Sequence, residues 1–272
     1  MKRFKALMKR FKALSSTLYA MKSKRDTRLL DLDALLCGVK PTECNRAWFT
    51  RVNIAVRECM NGPDYDASHD YEHCVRVVGI AHLIWMKERW ALETDPLVVF
   101  TAALVHDIGD GKYPKSAAKG RNLMTTEQQR ERQRKIVHSF LIKLACPPHI
   151  ADAAAEIASS VSFLLERNDP AHVQEVLRRL PALAIVQDAD RLDALGEMGI
   201  ARAALFGGVN EKRRKNTIMT LVELMDVRLA HYPGMMKTEM GKARAESAWE
   251  YMVQFKKGIE EQADCETILQ DD

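Results

Sequence analysis

The sequence is poor in the features that mark several large classes of protein. Its cysteines, Cys37, Cys44, Cys59, Cys74, Cys146 and Cys265, stand at irregular spacing with no C-x-x-C pair. That argues against a zinc ribbon and a disulfide frame, and for thiols in a reducing compartment. No run of about 18 uncharged apolar residues occurs, so no membrane-spanning helix is expected. The longest mainly apolar stretch, Leu97 to Val105, is bounded by Pro96 and His106-Asp107 and reads as a buried core helix. Glycine (13) and proline (9) are few and fall mostly between periodic segments, alternating β-branched runs are scarce, and aromatic residues make up 7%. Collagen and low-complexity disorder are excluded. The net charge of +4, from 41 basic and 37 acidic residues, is too small to imply a nucleic-acid partner.

What is present is a 272-residue chain, 47% apolar, long enough to bury one sizeable core. The periodicity is helical nearly throughout. Asp95-Pro96 reads as a helix start, with Asp as cap and Pro at the first helical position. Helices are expected from His149 to Leu165 and from Pro181 to Leu195-Gly196, with breaks at Gly207-Gly208 and Gly234. Residues 26–265 read as one domain and 266–272 as an acidic end. The segment 1–25 holds nine Lys/Arg and no acid, and repeats MKRFKAL twice. It reads either as a basic amphipathic helix suited to an anionic membrane or an import receptor, or as a solvated extension. Thr126 to Lys135, with four basic and two acidic residues and no apolar one, reads as a solvated helix face or as one that closes over something acidic.

Two histidine patterns stand out: D-A-S-H-D-Y-E-H over Asp66 to His73, and A-A-L-V-H-D-I-G-D over Ala102 to Asp110. His106 and Asp107 end a helix that is otherwise almost wholly apolar. An unpartnered buried carboxylate is costly, so something cationic should face Asp107. A divalent metal would satisfy both side chains; alternatively Asp107 caps the next turn and His106 fills a gap. A third pattern sets Asp188, Asp190 and Asp193 into an apolar helix, and periodicity does not decide which faces a site.

A His (His73, in H-x-x-R-V), then His106-Asp107, then Asp190 in A-D-R-L, separated by 33 and 83 residues, resembles the HD metal-dependent phosphohydrolase superfamily. D-x-S-H-D-x-x-H, A-A-L-V-H-D-I-G-D-x-K-Y and I-V-Q-D-A-D-R-L-D-A-L-G look like a bacterial-type subgroup that includes nucleotide pyrophosphatases. Phe206-Gly207-Gly208 and Lys237 to Lys242 extend the likeness, which covers about Ala47 to Phe255. It implies an all-α fold, a single HD-type domain with the metal site between helices. Carried over residue by residue, His73, His106, Asp107 and Asp190 become ligands of one divalent ion, or of two, with Mn²⁺, Fe²⁺ or Zn²⁺ favoured over Mg²⁺ by the two imidazoles. The segment Ile157 to Phe163 lacks the further His that many HD proteins carry there, which favours one ion.

Around that set, Asp110 lies three residues beyond Asp107 and is expected to orient or deprotonate a water. Lys112, His69 and Arg76 are expected at the substrate, with Arg76 and Arg191 each able to take a phosphate or a buried carboxylate. For Arg191 the salt bridge is favoured. The expected activity is hydrolysis of a phosphoester or phosphoanhydride in a small phosphorylated metabolite, a nucleotide above all. The alternatives are a phosphodiesterase and a non-catalytic metal- or nucleotide-binding regulator. The expected location is the cytoplasm, with mitochondrial import a second reading of the basic segment. A second copy of the chain is an open partner.

Overall fold

The structure, a computed structural model, describes residues 28–110, 124–209 and 217–268. The basic N-terminal segment, Lys112 and the last four residues of the acidic end lie outside these. The described residues form helices and turns with no strand among them, as the periodicity requires. The helices are α1 (Leu32–Leu36), α2 (Glu43–Met60), α3 (Tyr71–Leu92), α4 (Pro96–Val105), α5 (Thr126–Lys143), α6 (Pro148–Ala158), α7 (Phe163–Asn168), α8 (Pro170–Arg179), α9 (Ala182–Leu192), α10 (Gly196–Val209), α11 (Thr220–Val227) and α12 (Glu239–Ala263). No described helix is long and apolar enough to cross a membrane.

The apolar run that starts at Leu97 becomes the central helix. Asp95 caps α4 through Leu97 N at 2.8 Å, Pro96 occupies the first turn, and every residue from Val98 to Val105 is buried. α3, α6, α9 and α2 pack around it. Each fully buried Leu, Val or Phe here contributes about 1.5–3 kcal/mol of transfer free energy. A second apolar cluster, with Leu195, Met225, Tyr232 and Met252 among its members, joins α10, α11 and α12 beside the main core.

Three expectations are corrected. The helix expected from His149 to Leu165 is two, α6 and α7, parted at Ser159–Ser162. The hydroxyls of Ser159 and Ser160 both donate back to Glu156 O, at 3.0 and 2.9 Å, which competes with helix continuation. Gly207-Gly208 is not a break, because α10 runs through both to Val209. Glycine costs a helix about 1 kcal/mol per residue, and the packing of α10 against α11 and α12 holds it regardless. The polar stretch from Thr126 is more than a solvated face. It is the first half of α5, started by a capping box between Thr125 and Gln128, and its Gln133 is buried and donates to His106 O at 2.9 Å.

Candidate metal centre

α3 begins at Asp70, whose carboxylate accepts His73 N at 3.1 Å. His73 therefore points from the first turn of α3 at the place where α4 ends and α9 passes. α4 stops at Val105, and His106 to Gly109 form turns. Gly109 has φ +70°, and a Cβ there would press on the side chain of Ile136, so α5 closes over this turn only because the residue is glycine.

Four side-chain atoms from three elements meet here. His73 Nε2 and His106 Nε2 lie 3.1 Å apart. Asp107 Oδ2 is 3.4 Å from His73 Nε2 and 3.5 Å from His106 Nε2. Asp190 Oδ1 is 3.5 and 3.6 Å from the same two nitrogens. The other nitrogen of each ring shows what these atoms carry. His73 Nδ1 is 2.8 Å from Asp193 Oδ2, and His106 Nδ1 is 2.8 Å from Ala103 O. Both acceptors are oxygens without a proton, so each neutral ring bears its hydrogen on Nδ1 and turns a lone pair inward from Nε2. Two imidazole lone pairs and an Asp190 oxygen thus form one close group, and Asp107 Oδ2 lies beside both nitrogens, buried with no hydrogen-bond partner. Such a set is stable only around positive charge.

The residues fit a divalent cation: the donors suit a borderline ion, and each His is oriented by an acceptor behind it. Without a cation the charge must come from protons. Burial opposes charge on His106, but Asp107 and Asp190 overcome it and carry its pKa up to about 9. Burial likewise opposes ionisation of Asp107 and Asp190, and the facing histidines, His106 first, hold both below the usual carboxylate range. The set opens on one side: the Asp190 side chain is 29% exposed, against 0% for His73 and 1% for His106.

α9 and the residue that caps its end, Asp193, present four charged side chains in turn, each toward a different partner. Asp188 is buried and accepts from Lys237 N, Thr238 N and Thr238 Oγ1 at 2.7–3.0 Å. It thus ties α9 to the start of α12, where a Cβ at Gly241 would overlap its carboxylate. Asp190 faces His73 and His106. Arg191 pairs with Glu166 and donates to Met235 O at 3.0 Å, the structural pairing the sequence favoured. Asp193 is one of the three aspartates that periodicity left undistinguished. It receives the His73 ring, a two-pronged contact from Arg76 at 2.7 and 3.1 Å, and Arg202 at 3.1 Å. The one available signal was its place three residues after Asp190, on the same helical face.

Asp193 also bears on Arg76, which was expected at the substrate. Of the two partners open to Arg76, the buried carboxylate is the one it holds in this structure. His69 sits in the turn before α3, with Nδ1 2.7 Å from Ser68 Oγ and its ring 5.7 Å from that of His73. Asp110 is not carried by the helix, as the spacing argument assumed. It follows Gly109 on a turn, half-buried, its amide donating to Asp107 O at 3.2 Å. His138 lies apart from this group and pairs with Asp152 at 3.1 Å.

An all-helical core that holds a His, a His-Asp pair and a final Asp between its helices defines a class, and residues 70–195 match the HD domain. The chain is 30% identical over 197 residues to YpgQ of Bacillus subtilis, spanning 72% of this chain and 85% of YpgQ. It belongs to the HD family. The crystal structure of YpgQ in complex with ADP is similar with a TM-score of 0.56 at 25% identity, covering 82% of this chain and 98% of that one. An HD-superfamily hydrolase from Bacillus thuringiensis shares the fold at a TM-score of 0.51 and 23% identity, over 81% of this chain and all of its own.

Proposed function

We propose that this protein is a metal-dependent phosphohydrolase that acts on a nucleotide. The observation that carries the reading is the close grouping of His73 Nε2, His106 Nε2 and an Asp190 oxygen, with Asp107 Oδ2 beside both nitrogens, buried and unpaired. These four residues would hold one divalent ion, which supplies Lewis acidity toward a phosphoryl oxygen and toward the attacking water. The protein supplies the rest. Asp193 and Ala103 O keep both imidazoles in the tautomer that offers Nε2. Asp190, on the open side, leaves room for a substrate phosphate. Asp110 takes the proton of the water on its carboxylate, and Lys112 and His69 meet the phosphate chain. Support for a nucleotide comes from the binding of ADP by the similar YpgQ.

The test is release of phosphate or pyrophosphate from a panel of nucleoside mono-, di- and triphosphates by the Mn²⁺-loaded protein, with bound metal measured in parallel. Asp110→Asn should keep the metal and the KM and lower kcat by roughly 10²–10⁴-fold. Lys112→Ala should mainly raise KM, because its charge meets phosphate before and during reaction. No release from any nucleotide by fully loaded protein would end this reading.

A further inference from the structure

Beside the metal centre a cleft opens between the turn before α3, helix α10 and the end of α11. Its volume is about 460 Å³ including the space at its mouth, and its walls include His69, Ala203, Phe206, Leu224, Arg228 and Leu229. A row of aromatic rings joins it to the metal ligands. The ring of His73 lies 5.7 Å from that of His69, and His69 lies 5.9 Å from Phe206. Two ring contacts thus separate the cleft from the candidate ligand His73.

The two arginines at the cleft are in different states. Arg202 is committed, with Nε donating to Ser68 O at 3.0 Å and Nη1 3.1 Å from Asp193 Oδ2, so it forms wall. Arg228 is held in place but not neutralised. Its Nε donates to the Tyr232 hydroxyl at 2.7 Å, and its guanidinium sits 5.5 Å from the Phe163 ring and 5.8 Å from the Tyr232 ring. Its two Nη groups have no carboxylate partner among the described residues. Stacking fixes the plane of the guanidinium and leaves a fork of N–H donors at the edge of an otherwise largely apolar space.

That combination suits a flat heterocycle better than a polyanion, since a phosphate among carbon walls would exchange its hydration for one guanidinium. We infer that the cleft is a nucleobase subsite, and that Arg228 makes it prefer purines presenting a ring-carbonyl acceptor beside N7, as guanine does, over adenine and cytosine. A guanidinium only donates. Guanine offers O6 and N7 to such a fork. Adenine and cytosine place an amino group at the corresponding position and set donor against donor. This inference rests on the reading of the site as one that acts on nucleotides, so its test avoids phosphate and chemistry.

The experiment is a ligand-observed NMR titration of the Mg²⁺-loaded full chain with guanosine, inosine, adenosine and cytidine. Guanosine and inosine should bind about 5–150-fold more tightly than adenosine and cytidine, the range for a two-pronged arginine contact. Arg228→Lys keeps the charge and loses the fork, and should erase the difference. Ala203→Leu leaves Arg228 in place but fills the cleft, and should weaken all four nucleosides. Equal affinities for guanosine and adenosine in the wild type would overturn the inference. So would a preference that persists in Arg228→Lys protein of wild-type melting temperature, or full nucleoside binding by Ala203→Leu. The two readings fail separately: the preference can appear while no nucleotide is hydrolysed, and nucleotides can be hydrolysed without regard to the base.

Discussion

Replacing Asp193 by Asn tests whether the buried carboxylate behind His73 sets the metal centre, because Asn keeps the volume and removes the charge. In the wild type Asp193 accepts from His73 Nδ1 at 2.8 Å and fixes the tautomer that turns Nε2 toward Asp107 and Asp190. An amide in its place can offer an NH₂ to that nitrogen as readily as an oxygen, so the imidazole loses its enforced orientation and some basicity. Loss of such a supporting carboxylate lowers metal affinity by about 10–100-fold, or about 1.4–2.7 kcal/mol. A second effect is separable. Asp193 also balances Arg76 and Arg202, and removing one partner of a buried pair costs about 3–5 kcal/mol. The Arg76 side chain is 28% exposed, so water recovers part of that and about 2–4 kcal/mol is the expected loss of stability. The assay is calorimetric titration of the chelator-treated protein with Mn²⁺ at low temperature, where the variant is still folded by circular dichroism, followed by urea unfolding without metal. If folded Asp193→Asn protein binds Mn²⁺ within twofold of wild type, the argument that Asp193 orients His73 is wrong.

Asp107→Ala should lose most bound metal by mass spectrometry, and chelation of the wild type should lower Tm, since an ion at 100 times its Kd adds about 2.7 kcal/mol to the folded state; full occupancy in the variant would refute the assignment. Gly241→Ala should cost about 2–4 kcal/mol in urea unfolding, because the new methyl displaces the Asp188 carboxylate from its three donors at Lys237 and Thr238; an unchanged midpoint would show that this junction yields freely. Glu166 is half-buried, and although burial opposes its charge, Arg191 and Lys237 hold its carboxyl below the usual range. Its contribution to stability is therefore complete above that range and lost as pH falls through the depressed folded value. The Tm gap between wild type and Glu166→Gln should be widest near neutral pH and should narrow steadily toward about pH 3; a gap independent of pH would place the stabilisation elsewhere.

The sequence by itself determined the features that are local in the chain. Helical periodicity and scarce β-branched alternation gave an all-α fold, and Asp95-Pro96 gave the start of the central helix. A His-Asp pair closing an apolar run marked a buried carboxylate that needs a partner, with a metal ion and a turn cap both open to it. Order and spacing then tied His73 and Asp190 to that pair through the family likeness. What only the tertiary structure decided lies in partners far apart in sequence. Three aspartates on one apolar helix look alike until packing assigns Asp188 to the start of α12, Asp190 to the two histidines and Asp193 to the far side of His73, since a helical face has no meaning before its neighbours are placed. Arg76 was legible as a cation but not as the mate of a carboxylate on α9. Gln133 was hidden in a polar run, because a single buried polar residue leaves no mark on periodicity. Asp110 was placed by counting along a helix that stops at Val105, where the chain turns instead and Gly109 lets α5 close over it. Local patterns follow from the geometry of a single helix, whereas each of these outcomes depends on the angles at which helices cross.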